Sequence, residues 1–147
     1  MSEKEMRGFE DLECYQLGRK VFQEAYRVAS LLPSEEKYNL ADQLRRASAS
    51  IVLNIAEGYG RFYYKDRVRF CYNARGSLSE TENHLIVARD LKYISPALCQ
   101  RGRDITAETQ RLLNGYIDYL KREQPGKNEP GHDLNVDRFS IDAADET

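Results

Sequence analysis

The chain has 147 residues, 41% of them hydrophobic and 31% charged, with a formal net charge of −2. That length makes one domain whose core needs no covalent staples, and the balance of apolar and charged residues suits a helical globular chain. No run of about 18 apolar residues occurs, so the sequence holds no candidate membrane span.

The first helix is expected from Asp11 to Leu31, where Leu12, Tyr15, Val21 (or Phe22), Ala25, Val28 and Leu32 approximate an amphipathic row. Leu31-Leu32-Pro33-Ser34 ends it. Ser34 is expected to cap the second helix, with Glu35 and Glu36 complementing its dipole. That helix runs to about Tyr59. Leu40, Leu44, Ala47, Ile51, Ile55 and Gly58 recur by threes and fours and mark its core face. Beside them runs a polar row of Gln43, Arg46, Ser50, Asn54 and Glu57. Ser50, Asn54 and Glu57 are expected to hydrogen-bond a facing helix and set its register, because buried polar groups must be paired. The remaining side holds Ala49, Val52, Leu53 and Ala56. A helix apolar on nearly every side is buried on every side. Unless another helix or the chain ends cover it, a second copy must, so the reading is a homo-oligomer with Val52, Leu53 and Ala56 as interface candidates. Gly58 and Gly60 are expected to close the helix, one of them left-handed.

Residues Arg61 to Lys65 form a connection, and the third helix is expected from about Tyr64 to Leu91. Phe70, Cys71, Ala74, Leu78, Leu85 and Ala88 repeat at helical spacing along it. Gly76 and Ser77 within it are expected to admit the second helix at close range. Lys92-Tyr93-Ile94 makes a turn, Ser95 caps the fourth helix and Pro96 takes its first position. Leu98, Ile105, Leu112, Tyr116 and Leu120 carry that helix to about Glu123. Four long helices with short loops predict an all-α, antiparallel up-down-up-down four-helix bundle over residues 1–123. Residues 124–147 (QPGKNEPGHDLNVDRFSIDAADET) lack periodicity and are expected to be a disordered acidic tail. The apolar piece Val136 to Ile141 within it is either idle or a docking motif.

The charge is unevenly spread. From Gln124 onward Glu129, Asp133, Asp137, Asp142, Asp145 and Glu146 face only Lys127 and Arg138, so the helical part is net basic. Between Gln43 and Gly76, Arg45, Arg46, Arg61, Lys65, Arg67, Arg69 and Arg75 outnumber Glu57 and Asp66. Phe62, Tyr63, Tyr64, Phe70 and Tyr72 are interleaved with them. Cations neutralise phosphates and aromatic rings stack on bases. Arg45, Arg61, Lys65, Arg67 and Arg69 are therefore the nucleic-acid-binding candidates, with RNA as the expected partner. Arg46 and Arg75 read as interhelical partners of Glu57 and Glu80. The competing reading is a protein-interaction scaffold with an unidentified protein partner and no nucleic acid.

An enzyme is not expected. His84 and His132 are the only histidines, and neither stands in a ligand or triad spacing. Gly58-Tyr59-Gly60 is a helix end without the context of a phosphate loop. Cys14, Cys71 and Cys99 are far apart and form no CxxC pair, so they read as small buried hydrophobes in a reducing cytoplasm. No metal or cofactor is expected. The opening residues MSEKEMRGFEDLE lack the apolar stretch of a signal peptide, which agrees with a cytoplasmic protein and no membrane partner.

The runs FEDLECYQLGRKVF, LADQLRRASASIVLNIAEGYGR and FCYNARGSLSETENHL resemble the four-helix-bundle proteins of 23S ribosomal RNA intervening sequences. The resemblance covers about Phe9 to Glu123. Its signature positions fall on Gln43, Arg46, Ser50, Asn54, Glu57, Gly58, Arg75, Gly76, Ser77 and Glu80. It implies an antiparallel four-helix bundle and, through similarity to the pentameric accessory protein of diversity-generating retroelements, a ring-shaped homopentamer. Nothing carries over to the acidic tail.

Overall fold

The computed structural model describes residues 6–128. The tail expected beyond them, with its Val136–Ile141 piece, lies outside the described residues. The described chain is all-α: a short 3-10 turn at Phe9–Asp11, then α1 (Glu13–Leu31), a second 3-10 turn at Ser34–Glu36, α2 (Leu40–Tyr59), α3 (Tyr64–Asp90) and α4 (Pro96–Glu123). It is a four-helix bundle in which α2 lies against α1 and α3, and α4 against α3 and α1.

Each helix turns one face inward. The core stripe expected on α2 is buried throughout, from Leu40 through Leu44, Ala47, Ile51 and Ile55 to Gly58. The core divides in two. One half gathers Val21, Ile51, Ile55, Cys71, Leu78 and Leu113; the other gathers Ala25, Val28, Leu44, Leu85 and Cys99. Where each helix passes from one half to the other it carries a buried polar residue: Glu24, Ser48, Thr81 and the pair Thr106 and Thr109. The three threonine hydroxyls donate to carbonyls four residues back, at 2.7–2.8 Å. Ser48 donates to the Arg45 carbonyl at 3.0 Å. These hydroxyls are satisfied within their own helices, so they need no partner across the core.

Several expectations are corrected. Ser34 does not cap α2: residues Ser34–Glu36 form a separate 3-10 turn, and Asn39 precedes α2 without a side-chain cap. Instead the Glu36 carboxylate accepts the Leu40 amide and the Asn39 side chain, both at 3.2 Å. Neither helix-two glycine is left-handed. Gly60 has φ −75°, and the only described glycine at positive φ is Gly126. On α1, Val21 is buried and Phe22 is partly exposed. On α4 Leu120 is buried as expected, but the rest of the core row lies one residue from the expected one. Cys99, Gly102, Thr106, Thr109, Leu113 and Ile117 are buried, while Leu98, Ile105, Leu112 and Tyr116 flank them. Gly76 admits no helix: it is exposed, and nothing lies within 4 Å of where a methyl group would sit. Ser77 does meet α2 as expected, 2.9 Å from the Ser50 hydroxyl, and α3 also comes close at Gly58, where a methyl would lie 2.8 Å from Phe70 Cβ.

The expected capping of α4 holds. Ser95 Oγ accepts the Leu98 amide at 3.1 Å, and Pro96 occupies the first turn.

Candidate functional site

The end of α2, the connection after it and the first half of α3 bring cations and rings together. Phe70 is positioned by the glycine opposite it on α2, since Gly58 leaves room for its Cβ. Two guanidiniums gather at that ring, Arg61 at 4.8 Å and Arg69 at 4.9 Å from the centroid. Arg61 also pairs with Glu57 at 3.5 Å, and Arg69 with the buried carboxylate of Asp66 at 3.1 Å. Arg67 donates to the Arg61 carbonyl at 2.7 Å and sits 5.5 Å from the Tyr59 ring. The other flank of α3 repeats the pattern with α4. Arg75 and Lys121 lie 4.9 Å and 5.3 Å from the Tyr72 ring, and Arg75 donates to Asn114 Oδ1 at 3.2 Å. Arg122 lies 5.9 Å from the Tyr119 ring.

A guanidinium over a ring keeps its charge while its position is held, at about 0.5–1 kcal/mol per exposed pair. The strip is therefore a set of oriented cations with aromatic faces beside them, and Phe62 stands 59% exposed at its end. Such a surface suits a polyanion that also offers flat groups to stack.

Of the candidates chosen from sequence, Arg61, Arg67 and Arg69 come together here, and Lys65 stands in the first turn of α3. Arg45 does not: it lies 14 residues before the end of α2 at Tyr59, about 21 Å along the helix axis. The sequence alone does not single out Lys121 and Arg122. Their one signal is a basic pair in the last turn of a helix, which by itself reads as a dipole complement.

The polar row of α2 does less than expected. Only Ser50 reaches a facing helix, accepting from the Ser77 hydroxyl at 2.9 Å. Asn54 donates back to Ser50, to its carbonyl at 2.8 Å and its Oγ at 3.0 Å. Gln43 turns to Asn39 at 3.4 Å. The pairing of Arg46 and Arg75 with Glu57 and Glu80 is not found. Arg46 pairs with Asp42 at 3.1 Å, Arg75 with Asn114, Glu57 with Arg61, and Glu80 with His84 at 3.5 Å. Glu57 meets Arg61 just past the end of α2, and Glu80 meets His84 one turn along α3, before either acid reaches across. On the third side of α2, Val52 and Ala56 are half-buried and Leu53 is 64% exposed. α1 takes up part of that side, since a methyl on Gly18 would lie 3.6 Å from Val52 Cγ1.

A cavity of about 370 Å³ opens between the start of α1 and α4, lined by Leu12, Cys14, Arg111, Leu112 and Tyr116 among others. Cys14, Cys71 and Cys99 are buried free thiols. Among the described residues no cluster of His, Cys, Asp and Glu converges as a metal site, and no helix is long and apolar enough to cross a membrane.

Residues 10–115 match the sequence model of the 23S rRNA-intervening sequence proteins. No curated protein matches significantly. Among solved structures, a protein of unknown function from the S23 ribosomal protein family of Bacteroides thetaiotaomicron VPI-5482 is similar in fold. Its TM-score is 0.66 at 21% identity, over 71% of this chain and 97% of that one.

Proposed function

This chain belongs to the 23S rRNA-intervening sequence protein family, and we propose that it is a non-enzymatic, cytoplasmic, homo-oligomeric bundle that binds RNA or an RNP. The observation that carries this reading is the strip of ring-held cations along the first half of α3. Facing pairs support an antiparallel course. Ser50 opposes Ser77 while Gly58 opposes Phe70, and Arg75 opposes Asn114 while Leu85 opposes Gly102. In each pair, advance along one helix is retreat along the next. The exposed Leu53 and the fold-level similarity of such proteins to the pentameric accessory protein of diversity-generating retroelements support assembly into a ring. In a ring, a modest patch on each copy becomes a multivalent surface.

A filter-binding salt series on single-stranded RNA tests the reading. Affinity should fall steeply with salt. The triple change Lys65→Gln, Arg67→Gln, Arg69→Gln should flatten the slope by up to about one for each phosphate no longer neutralised. Absence of binding at low salt overturns it. The rival reading, a protein scaffold, draws on the apolar side of α2 around Leu53. It predicts a protein partner that Leu53→Asp releases and that the triple change leaves bound.

A further inference from the structure

After Glu123 the chain does not run on into solvent. Gln124 adopts φ 50° and Gly126 φ 83°, so two left-handed residues turn it back. The Tyr64 amide donates to the Pro125 carbonyl at 2.9 Å, which ties the turn to the start of α3. A methyl on Gly126 would lie 2.4 Å from the Phe62 carbonyl oxygen, so only glycine fits this approach. The fold therefore hands residues 129–147 on from a point beside Phe62, at the end of the cationic strip. Those residues carry Glu129, Asp133, Asp137, Asp142, Asp145 and Glu146 against Arg138, with Phe139 and Ile141 among them.

We propose that residues 129–147 are an intramolecular occupant of the strip formed by Arg61, Arg67, Arg69 and Phe62, an acidic segment that competes with polyanions for it. Reach is sufficient. Nineteen residues can span up to about 63 Å of extended chain, and the 11 steps from Tyr64 to Arg75 span about 17 Å of helix. Tethering sets an effective concentration in the millimolar range, so weak charge attraction is enough to fill the surface. Screening by salt empties it. The docking stands on the turn and the charges; the competition rests on the RNA-binding reading.

The test uses the full chain. The three native thiols are buried, so a nitroxide label attached through Ser140→Cys reports from the tail alone. At low salt the amides of Phe62, Arg67 and Arg69 should lose most of their intensity, and about 0.5 M salt should restore it. Loss centred on Leu53 or elsewhere, or none at all, overturns the docking. In parallel, the full chain carrying Asp133→Asn, Asp137→Asn, Asp142→Asn and Asp145→Asn should bind poly(U) about ten-fold more tightly at low salt. Equal binding by both chains overturns the competition and leaves the RNA-binding reading intact. Broadening at the strip when neither chain binds poly(U) supports the docking while removing the RNA-binding reading.

Discussion

At Gly58 a hydrogen in place of a methyl group sets how near α2 and α3 come. A Cβ there would meet Phe70 Cβ at 2.8 Å and the Arg67 carbonyl at 3.2 Å, and neither can step aside without moving backbone. Gly58→Ala should therefore destabilise the bundle by about 1–3 kcal/mol in chemical denaturation. Gly76 is the counter-case, exposed with open space around it. Gly76→Ala should stabilise the single chain by about 1 kcal/mol. Spacing already places Gly58 on the core stripe of α2 and Gly76 off that of α3; how closely Phe70 approaches Gly58 is decided by α3 lying opposite. The thiols give a pH prediction. Burial pushes Cys14 and Cys71 up to about 12 from an ordinary 9.0. The unfolded chain releases these protons first, so their contribution is intact below pH 9 and is lost as the pH rises towards 12. Denaturation midpoints should drop across that window, and both thiols should resist a thiol reagent at pH 8 until the chain is unfolded.

Among the elements, the start of α4 is legible in sequence because its signals are local. Ser95 and Pro96 act within one turn, and the Ser95 hydroxyl accepts the Leu98 amide. Ser95→Ala should cost about 1 kcal/mol, and Asn39→Ala before α2 should cost less, because Asn39 does not cap. The start of α2 departs from expectation because Ser34 and two following acids look like a cap, while the chain spends those residues on a separate turn. Short of Leu120, the inward face of α4 lies one residue from the expected one for a related reason. Its core positions include Gly102, Thr106 and Thr109, which carry little hydrophobic signal, while Leu98, Ile105 and Leu112 beside them carry a strong one. Gly102 faces Leu85, where a methyl would lie 2.7 Å from Leu85 Cδ1. The small residue on one helix makes the seat for the large one on its neighbour.

At the scale of the bundle, two apolar halves pack on either side of a polar waist, with the waist hydroxyls satisfied inside their own helices. Thr81→Val should accordingly shift stability by no more than about 1 kcal/mol, since no partner across the core loses a bond. Assembly is a separate matter. Light scattering of the purified protein should give a multiple of 17.0 kDa, and Leu53→Asp, which places a charge on the exposed side of α2, should return the mass to one chain. A mass of 17.0 kDa for the unaltered protein would remove both the ring and the multivalency argued from it.

The number of helices, the buried stripe of α2, the capping of α4 and the excess of cations around the second connection were all legible in the sequence. Each depends on residues within a few turns of one another, where helical geometry alone sets who is neighbour to whom. The partners of Arg75 and Phe70, the part played by Lys121 and the direction in which the chain leaves α4 were not. Those follow from which helix lies opposite which. Asn114 reaches Arg75 and Pro125 reaches Tyr64 across the packed bundle, pairings that no periodicity within a single helix encodes.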